Sequence, residues 1–376
     1  MFRVPTLGLA LALATASPIA LVAVSTPAVA QQLSQAVGKP LQDAMAAAKK
    51  RQTAVATAKI EEARKAAKTD FEKKKVGEAA AYVYTSTGQF AAAAKELEAV
   101  GATPNQIAPL YYQAGQYQKA VQVASKSTSA DMQLIVAQSY VKLNQHAQAA
   151  SAYKKLIASG GPKKQYLEGL AGAQYRAGDK EGYLKTVEQL IRVDPSPANW
   201  KALLYNLRGE QMPPAAKLGL YLLIDATGNL DSVTEYNEYV QLAATNGAPG
   251  LGYQAMKAGI EKGKLPNDAR TQNTLKGVET RASQAQAQVA KMAASKNPAD
   301  LLTAGKTYYG LGQYDVAAAT FAKAGSTPEA LLLKGIAQVR AGQAAAAKAT
   351  LAQVKGKGFE EVASLWSLYS STKKAA

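Results

Sequence analysis

Leu301 to Ala324 reads LLTAGKTYYGLGQYDVAAATFAKA, and the placement of its small and apolar residues predicts two helices joined by a tight turn. Leu301, Ala304, Gly305 and Tyr308 recur at intervals of three and four, which puts them on one face of a first helix. Gly312 interrupts that run. Tyr314, Ala317, Ala318, Phe321 and Ala324 then resume the periodicity in a second helix. Small residues where the backbones approach, with aromatics filling the gaps beside them, let the second helix pack back on the first. One such hairpin cannot bury its own apolar face, so it requires neighbours.

Neighbours of the same kind occur on both sides. The turn element Gly-x-aromatic-x-x-Ala appears as Gly88-Gln89-Phe90 with Ala93, Gly115-Gln116-Tyr117 with Ala120, Asn144-Gln145-His146 with Ala149, and Gly312-Gln313-Tyr314 with Ala317. Gly342-Gln343 with Ala347, Gly178-Asp179 with Tyr183, and Gly247 followed by Gly252 are weaker copies. The intervals are 27 residues from 88 to 115, 29 from 115 to 144, 34 from 144 to 178 and 30 from 312 to 342. This pattern resembles the tetratricopeptide repeat, which sets Leu, Gly and Tyr in a first helix and Gly-x-Tyr-x-x-Ala, Phe and Ala across the turn into a second. That family's period is about 34 residues, so the first two intervals require trimmed helices or connections. The resemblance implies an all-α protein, a right-handed α-solenoid of helical hairpins that acts as a binding scaffold.

Farther from the quoted stretch the organisation is read from punctuation. Residues 31–76 are rich in Ala and Lys, with Arg51, Thr53, Ala56 and Ile60 where Gly, Tyr, Ala and Phe would fall. They read as a degenerate first repeat that caps the array, or as a lysine-rich linker of the same composition. Residues 77–264 read as the N-terminal array. Within it Asp194-Pro195 closes one repeat, Trp200, Leu203, Leu204 and Leu207 form the next first helix, and Pro213-Pro214 start its partner. Leu218 to Ile224 is almost wholly apolar and predicts a helix buried on all sides. Residues 265–297 lack a Gly-x-Tyr turn between the N-cap candidates Asn267 and Asp268 and the stop Asn297-Pro298, which predicts one long connecting helix of about 43 Å. Residues 298–376 read as C-terminal repeats ending in a helix near Phe359 to Ser371.

Residues 1–30 carry Arg3, an apolar run from Leu7 to about Val24 and Ala28-Val29-Ala30, the layout of a secretory signal. With no Cys there is no lipidation site and no disulfide. A soluble periplasmic protein is expected, secretion to the medium being the second choice, and no later run is long enough for a membrane span. The chain has 44 Lys+Arg against 27 Asp+Glu, a net +17, or +16 once Arg3 is removed with the signal. In an exported protein this excludes nucleic acid as the natural partner and favours acidic protein surfaces or anionic envelope polymers. The plainer reading is that exposed lysines keep an alanine-rich solenoid soluble.

Catalysis, cofactors and metals are not expected. The one histidine, His146, occupies the turn-aromatic position, and a zinc site would need several His or Cys ligands. Gly305-Lys306-Thr307 looks like the end of a phosphate loop but lies inside a predicted helix, and Asp300 replaces the earlier glycine. Gly250-Leu251-Gly252 with Ala255 follows no strand, and Ser151 to Lys154 matches Ser-x-x-Lys without its companion motifs.

In the resembled family the inner surface of the superhelix is lined by first-helix residues that face away from the hairpin partner. Carried onto this sequence, these are Tyr82, Tyr112, Lys142, Tyr175, Arg176, Lys201, Tyr205, Arg208, Lys306 and Tyr309, with Thr85, Asn105, Gln138, Asn237, Gln241 and Arg340 beside them. The set holds five tyrosines, six cations and no carboxylate. Tyrosine offers contact area with little entropy to lose, and Lys and Arg offer donors, so the groove suits an acidic or extended segment of another protein. Two alternatives stand beside this one. In one the tyrosines pack between repeats; in the other, the second choice of function, the protein binds peptidoglycan or an anionic envelope polysaccharide. Only Lys201 and scattered amides match the family's clamp for a peptide carboxylate, which leaves recognition of a free C-terminus open.

Overall fold

Glycine can take a left-handed backbone without steric cost, and the chain uses that freedom at a recurring stop. Arg51, Gly88, Gly115, Asn144, Gly178, Gly247, Gly312 and Gly342 all have φ between 56° and 79°. At each, the following residue donates its N–H to the carbonyl five residues before it, at 2.7 to 2.9 Å. This is the longer of the two bonds of a Schellman stop, here leading straight into the next helix. The glutamine that follows most of these turns has φ near −85° and ψ near 60° at Gln89, Gln116, Gln145, Gln313 and Gln343. Gln52, after Arg51, has the same conformation.

The computed structural model describes residues 32–373, so the signal expected at 1–30 lies outside the described residues. Contacts divide the chain after Gly101 into two units. The first holds α1 (Gln35–Lys49), α2 (Thr53–Ala66), α3 (Asp70–Ser86) and α4 (Phe90–Ala99), with α1 on α2, α3 on α4, and α3 also touching α1 and α2. Ala56 and Ile60, read as occupants of the repeat's Ala and Phe positions, are fully buried.

Glu72 ties this unit together. Its carboxylate accepts from Ser34 Oγ at 2.6 Å and from the backbone N–H groups of Ser34, Lys68 and Thr69 at 3.1, 2.9 and 3.2 Å. These bonds, the Ser34 hydroxyl's foremost, hold its pKa down at about 2. A carboxylate lowered by folding stabilises the fold above its unfolded value of about 4.3 and loses that contribution as pH falls through its folded value. Glu72→Gln is therefore expected to lower the melting temperature near pH 7, with the gap from wild type closing between about pH 4 and pH 2. Melting curves of both proteins across that range check this, and a gap of constant size would remove ionisation as the cause.

The second unit begins with hairpins α5 (Pro104–Gln113) with α6 (Tyr117–Ala124), α7 (Ala130–Lys142) with α8 (His146–Gly160), and α9 (Lys164–Ala177) with α10 (Lys180–Val193). Next come α11 (Pro197–Arg208) and α12 (Pro214–Ala226), whose connection has no left-handed residue because Pro213 and Pro214 preset the next helix instead. Then follow α13 (Val233–Thr245) with α14 (Pro249–Glu261), the single α15 (Ala269–Ala293), α16 (Pro298–Gly310) with α17 (Tyr314–Lys323), α18 (Pro328–Arg340) with α19 (Ala344–Leu351), and α20 (Phe359–Thr372). Among the described residues the protein is all α-helix, twenty helices packed mainly as sequential hairpins.

In most of the hairpins the residue seven before the turn is small and buried, as at Ala81, Ala108, Ala137, Ala171, Gly305 and Gly335. A Cβ built on Gly305 would stand 2.4 Å from Phe321, and one on Gly335 would stand 2.5 Å from Leu351. The second helix thus rests its large residue directly on the first helix's backbone.

Two features change the expected organisation. The long helix α15 is N-capped by Asp268, which accepts from Thr271 N–H, and spans about 37 Å. It packs on α14 and on α16 through a narrow stripe at Thr271, Leu275, Val278, Ala282, Ala285, Val289 and Met292. It is a member of the stack, and no boundary falls at 264 or 297 because one hydrophobic core runs from Ala171 to Leu368. The second feature is how that core closes. The apolar helix α12, buried from Leu218 through Ile224, contacts α11 and α13 but also α18 and α20, and α20 reaches α10 as well. Trp366 Nε1 donates to Gly219 O at 2.9 Å, and the Tyr369 hydroxyl donates to Ala226 O at 3.1 Å. The C-terminal helix is thereby packed on helices about 140 residues earlier in the chain.

Candidate functional site

The ten residues read as partner-binding fall into three groups. Tyr112, Tyr175 and Tyr309 hold the same place, three residues before a turn residue. Tyr112 lies edge-on to Tyr117 at 5.4 Å and Tyr309 edge-on to Tyr314 at 5.0 Å, so these rings brace the hairpin across its turn. Tyr309 is 8% exposed, its hydroxyl is buried without a partner, and burial raises its pKa. Tyr112 is half-buried, and burial raises its pKa too. Tyr309 is thus a packing residue, a correction to its placement in an open groove.

The second group consists of cations neutralised within the fold. Lys306, 6% exposed, pairs with Glu329 at 2.7 Å and donates to Asn246 O at 2.9 Å. It belongs to the interior and is withdrawn from the binding set. Lys201 and Lys264 both reach Asp231 at 2.6 Å, and their hydrogen bonds hold that carboxyl below the usual range. Arg208 pairs with Glu235 while its guanidinium lies 5.8 Å from the Tyr205 ring centre. Arg340, also in the first-helix set, donates to the Tyr314 hydroxyl at 2.8 Å. No carboxylate stood among the first-helix positions, yet the start of the next hairpin supplies them. The signal was a spacing of about one hairpin: Lys164 to Asp194, Lys180 to Glu210 and Lys201 to Asp231 are each 30 residues apart.

The third group is exposed. Lys142, Tyr175 and Arg176, and Tyr205 lie in the last turns of α7, α9 and α11, the same end of three successive first helices. Tyr175 and Tyr205 are 65% and 69% exposed, the largest values among exposed large apolar or aromatic side chains. Tyr175 leans on Tyr183 at 5.7 Å. In the first unit Tyr82, on α3, is 39% exposed.

No protein-family model matches the chain, and no curated protein does. Solved structures of low likeness exist. A chain in the structure of Naa15/Naa10 bound to HypK-THB is 15% identical, with TM-score 0.40, over 86% of this chain and 54% of that one. The present chain therefore spans about half the length of that match. Yeast Tom70 is 13% identical with TM-score 0.22, over 90% of this chain and 83% of its own.

Chemistry finds little to build on among the described residues. No group of three or more His, Asp or Glu side chains converges there as a metal site would require. The phosphate-loop look-alike is inside α16, with its lysine committed to Glu329, and Ser151 to Lys154 lies within α8. No described helix is long and apolar enough to cross a membrane.

Proposed function

We propose that this protein is a periplasmic scaffold that binds another protein through the exposed end of α7, α9 and α11. The observation that carries this reading is the pair Tyr175 and Tyr205, large rings left in solvent beside Lys142 and Arg176 while the equivalent Tyr309 is buried. Aromatic anchors flanked by cations suit an extended segment bearing carboxylates. The periplasmic part of the reading rests on the signal-like residues 1–30.

Retention of proteins from detergent-solubilised envelope, by the protein lacking residues 1–30 and by its Tyr175→Ala/Tyr205→Ala variant, tests the surface. A partner held by the first and released by the second is the expected outcome, with loss of about tenfold or more in affinity. Purified peptidoglycan sacculi bound equally by both, with no protein retained, would replace the reading with envelope-polymer binding. Recovery in the osmotic-shock fraction, with an N-terminus at Gln31, is expected for an exported chain.

A further inference from the structure

The basic charge is unevenly distributed. Residues 102–164 carry seven lysines against a single carboxylate, Asp131, whereas residues 165–265 carry ten basic and eleven acidic residues. Helices α6 and α8, which both pack on α7, contain no acidic residue. Lys119 and Gln122 on α6 and Lys126 just beyond its end stand at i, i+3 and i+7, and all three are exposed. Gln148, Ser151 and Lys155 on α8 repeat those places 29 residues later, the interval between the turn residues Gly115 and Asn144, and they too are exposed. Lys154 lies beside Lys155, and Lys163 follows just before α9.

Among the described residues none of these five lysines is in an ion pair, whereas Lys164 pairs with Asp194 as soon as the chain regains carboxylates. Two of the amino groups are held over buried rings, Lys119 at 5.2 Å from the centre of Tyr111 and Lys163 at 5.4 Å from Tyr166. The stripe ends at α10, where Glu181 pairs with Lys185 at 2.6 Å.

We infer that the exposed lysine-bearing faces of α6 and α8 form an electrostatic docking surface for an acidic protein segment. The inference rests on the protein-binding reading but uses lysines of α6, α8 and the connections that follow them, apart from the first-helix tyrosines. Lys119 and Lys126 are about 10 Å apart along the helix direction, and an extended chain advancing about 3.3 Å per residue meets that spacing with a carboxylate every third residue. A nucleic-acid strand has a phosphate about every 3.4 Å and asks for exposed aromatic faces, but Tyr111, Tyr153 and Tyr166 in this region are buried. Charges of one sign at a distance steer encounter, so the surface acts on association rate and is screened by salt.

The test uses the chain lacking residues 1–30 and a fluorescent peptide of about 20 residues with Glu at every third position, its Gln counterpart, heparin and a single-stranded oligonucleotide. Lys→Gln at Lys119, Lys126, Lys154, Lys155 and Lys163 together is expected to cost about tenfold or more in affinity at about 50 mM salt, mostly as a slower association rate. The same five charges removed at the exposed Lys276, Lys291, Lys323, Lys348 and Lys355 are expected to cost less than about twofold. Lys→Arg at the first five sites should keep binding, which separates charge from misfolding. Equal losses in the two Lys→Gln variants would overturn the proposal in favour of bulk charge. Heparin or oligonucleotide binding more tightly than the peptide through the same lysines would overturn it in favour of a polyanion surface. The peptide experiment reads the five lysines and the envelope capture reads Tyr175 and Tyr205, so loss of peptide binding in the first Lys→Gln variant alone supports the stripe even where envelope capture retains no protein.

Discussion

Trp366→Ala is expected to lower the unfolding free energy of the unit spanning residues 102–373 by about 3 to 5 kcal/mol. Trp366 is fully buried on α20, its ring edge-on to Tyr369 at 5.5 Å and its Nε1 bonded to Gly219 O on α12. The fit around that contact is close: a Cβ on Gly219 would stand 3.0 Å from Leu332 and 3.2 Å from Val362. Truncation leaves a cavity where α12, α18 and α20 meet, and the surrounding helices cannot collapse into it without separating from one another. Trp366→Phe should cost less, since it keeps most of the packing and loses chiefly one hydrogen bond, about 1 kcal/mol. Urea unfolding followed by helical circular dichroism measures both. A midpoint unchanged in Trp366→Ala would mean that α20 contributes nothing to the core.

Gly305→Leu is expected to cost about 3 kcal/mol, at the upper end of overpacking effects. The first added carbon already falls 2.4 Å from Phe321 Cε1 and 2.6 Å from its Cδ1. Phe321 is 1% exposed, and close-packed interiors leave little room for a ring to shift. Relief must come from moving α17 away from α16, which strips apolar contact from both. Gly305→Leu/Phe321→Ala should recover part of the loss, because the second change makes room for the first. Ala137, fully buried at the same place of its own hairpin, should show a similar penalty when enlarged to Leu. Thermal unfolding of the three variants is the measurement. Unchanged melting in both Gly305→Leu and Ala137→Leu would contradict the hairpin packing itself.

Much of the hairpin geometry was legible because it is local. Gly312, Gln313 and Tyr314 announce a stop, a start and a ring to cover the turn, and all three act within about five residues. Even the degenerate first copy was readable: Arg51, placed by pattern alone where a glycine would fall, takes the left-handed conformation. The site was less legible. Tyr112, Tyr175 and Tyr309 are equivalent by position, yet they run from half-buried to exposed to buried, because their exposure depends on which helix covers each hairpin end. Lys201, Arg208 and Lys306 read as free cations, since their carboxylates Asp231, Glu235 and Glu329 lie 23 to 30 residues ahead and meet them only when neighbouring hairpins stack.

By itself, then, the sequence determined an all-α chain of stacked hairpins, where its turns fall, which small residues let the helices touch, and the large excess of basic charge. Helix periodicity, left-handed stops and net charge are properties of a few consecutive residues, so they survive without knowledge of the rest. Only the tertiary structure decided that α20 closes on α12, that α15 belongs to the stack, and which tyrosines and cations remain in solvent. Those outcomes depend on the summed angles of many helix contacts between residues far apart in sequence, and no local pattern encodes that sum.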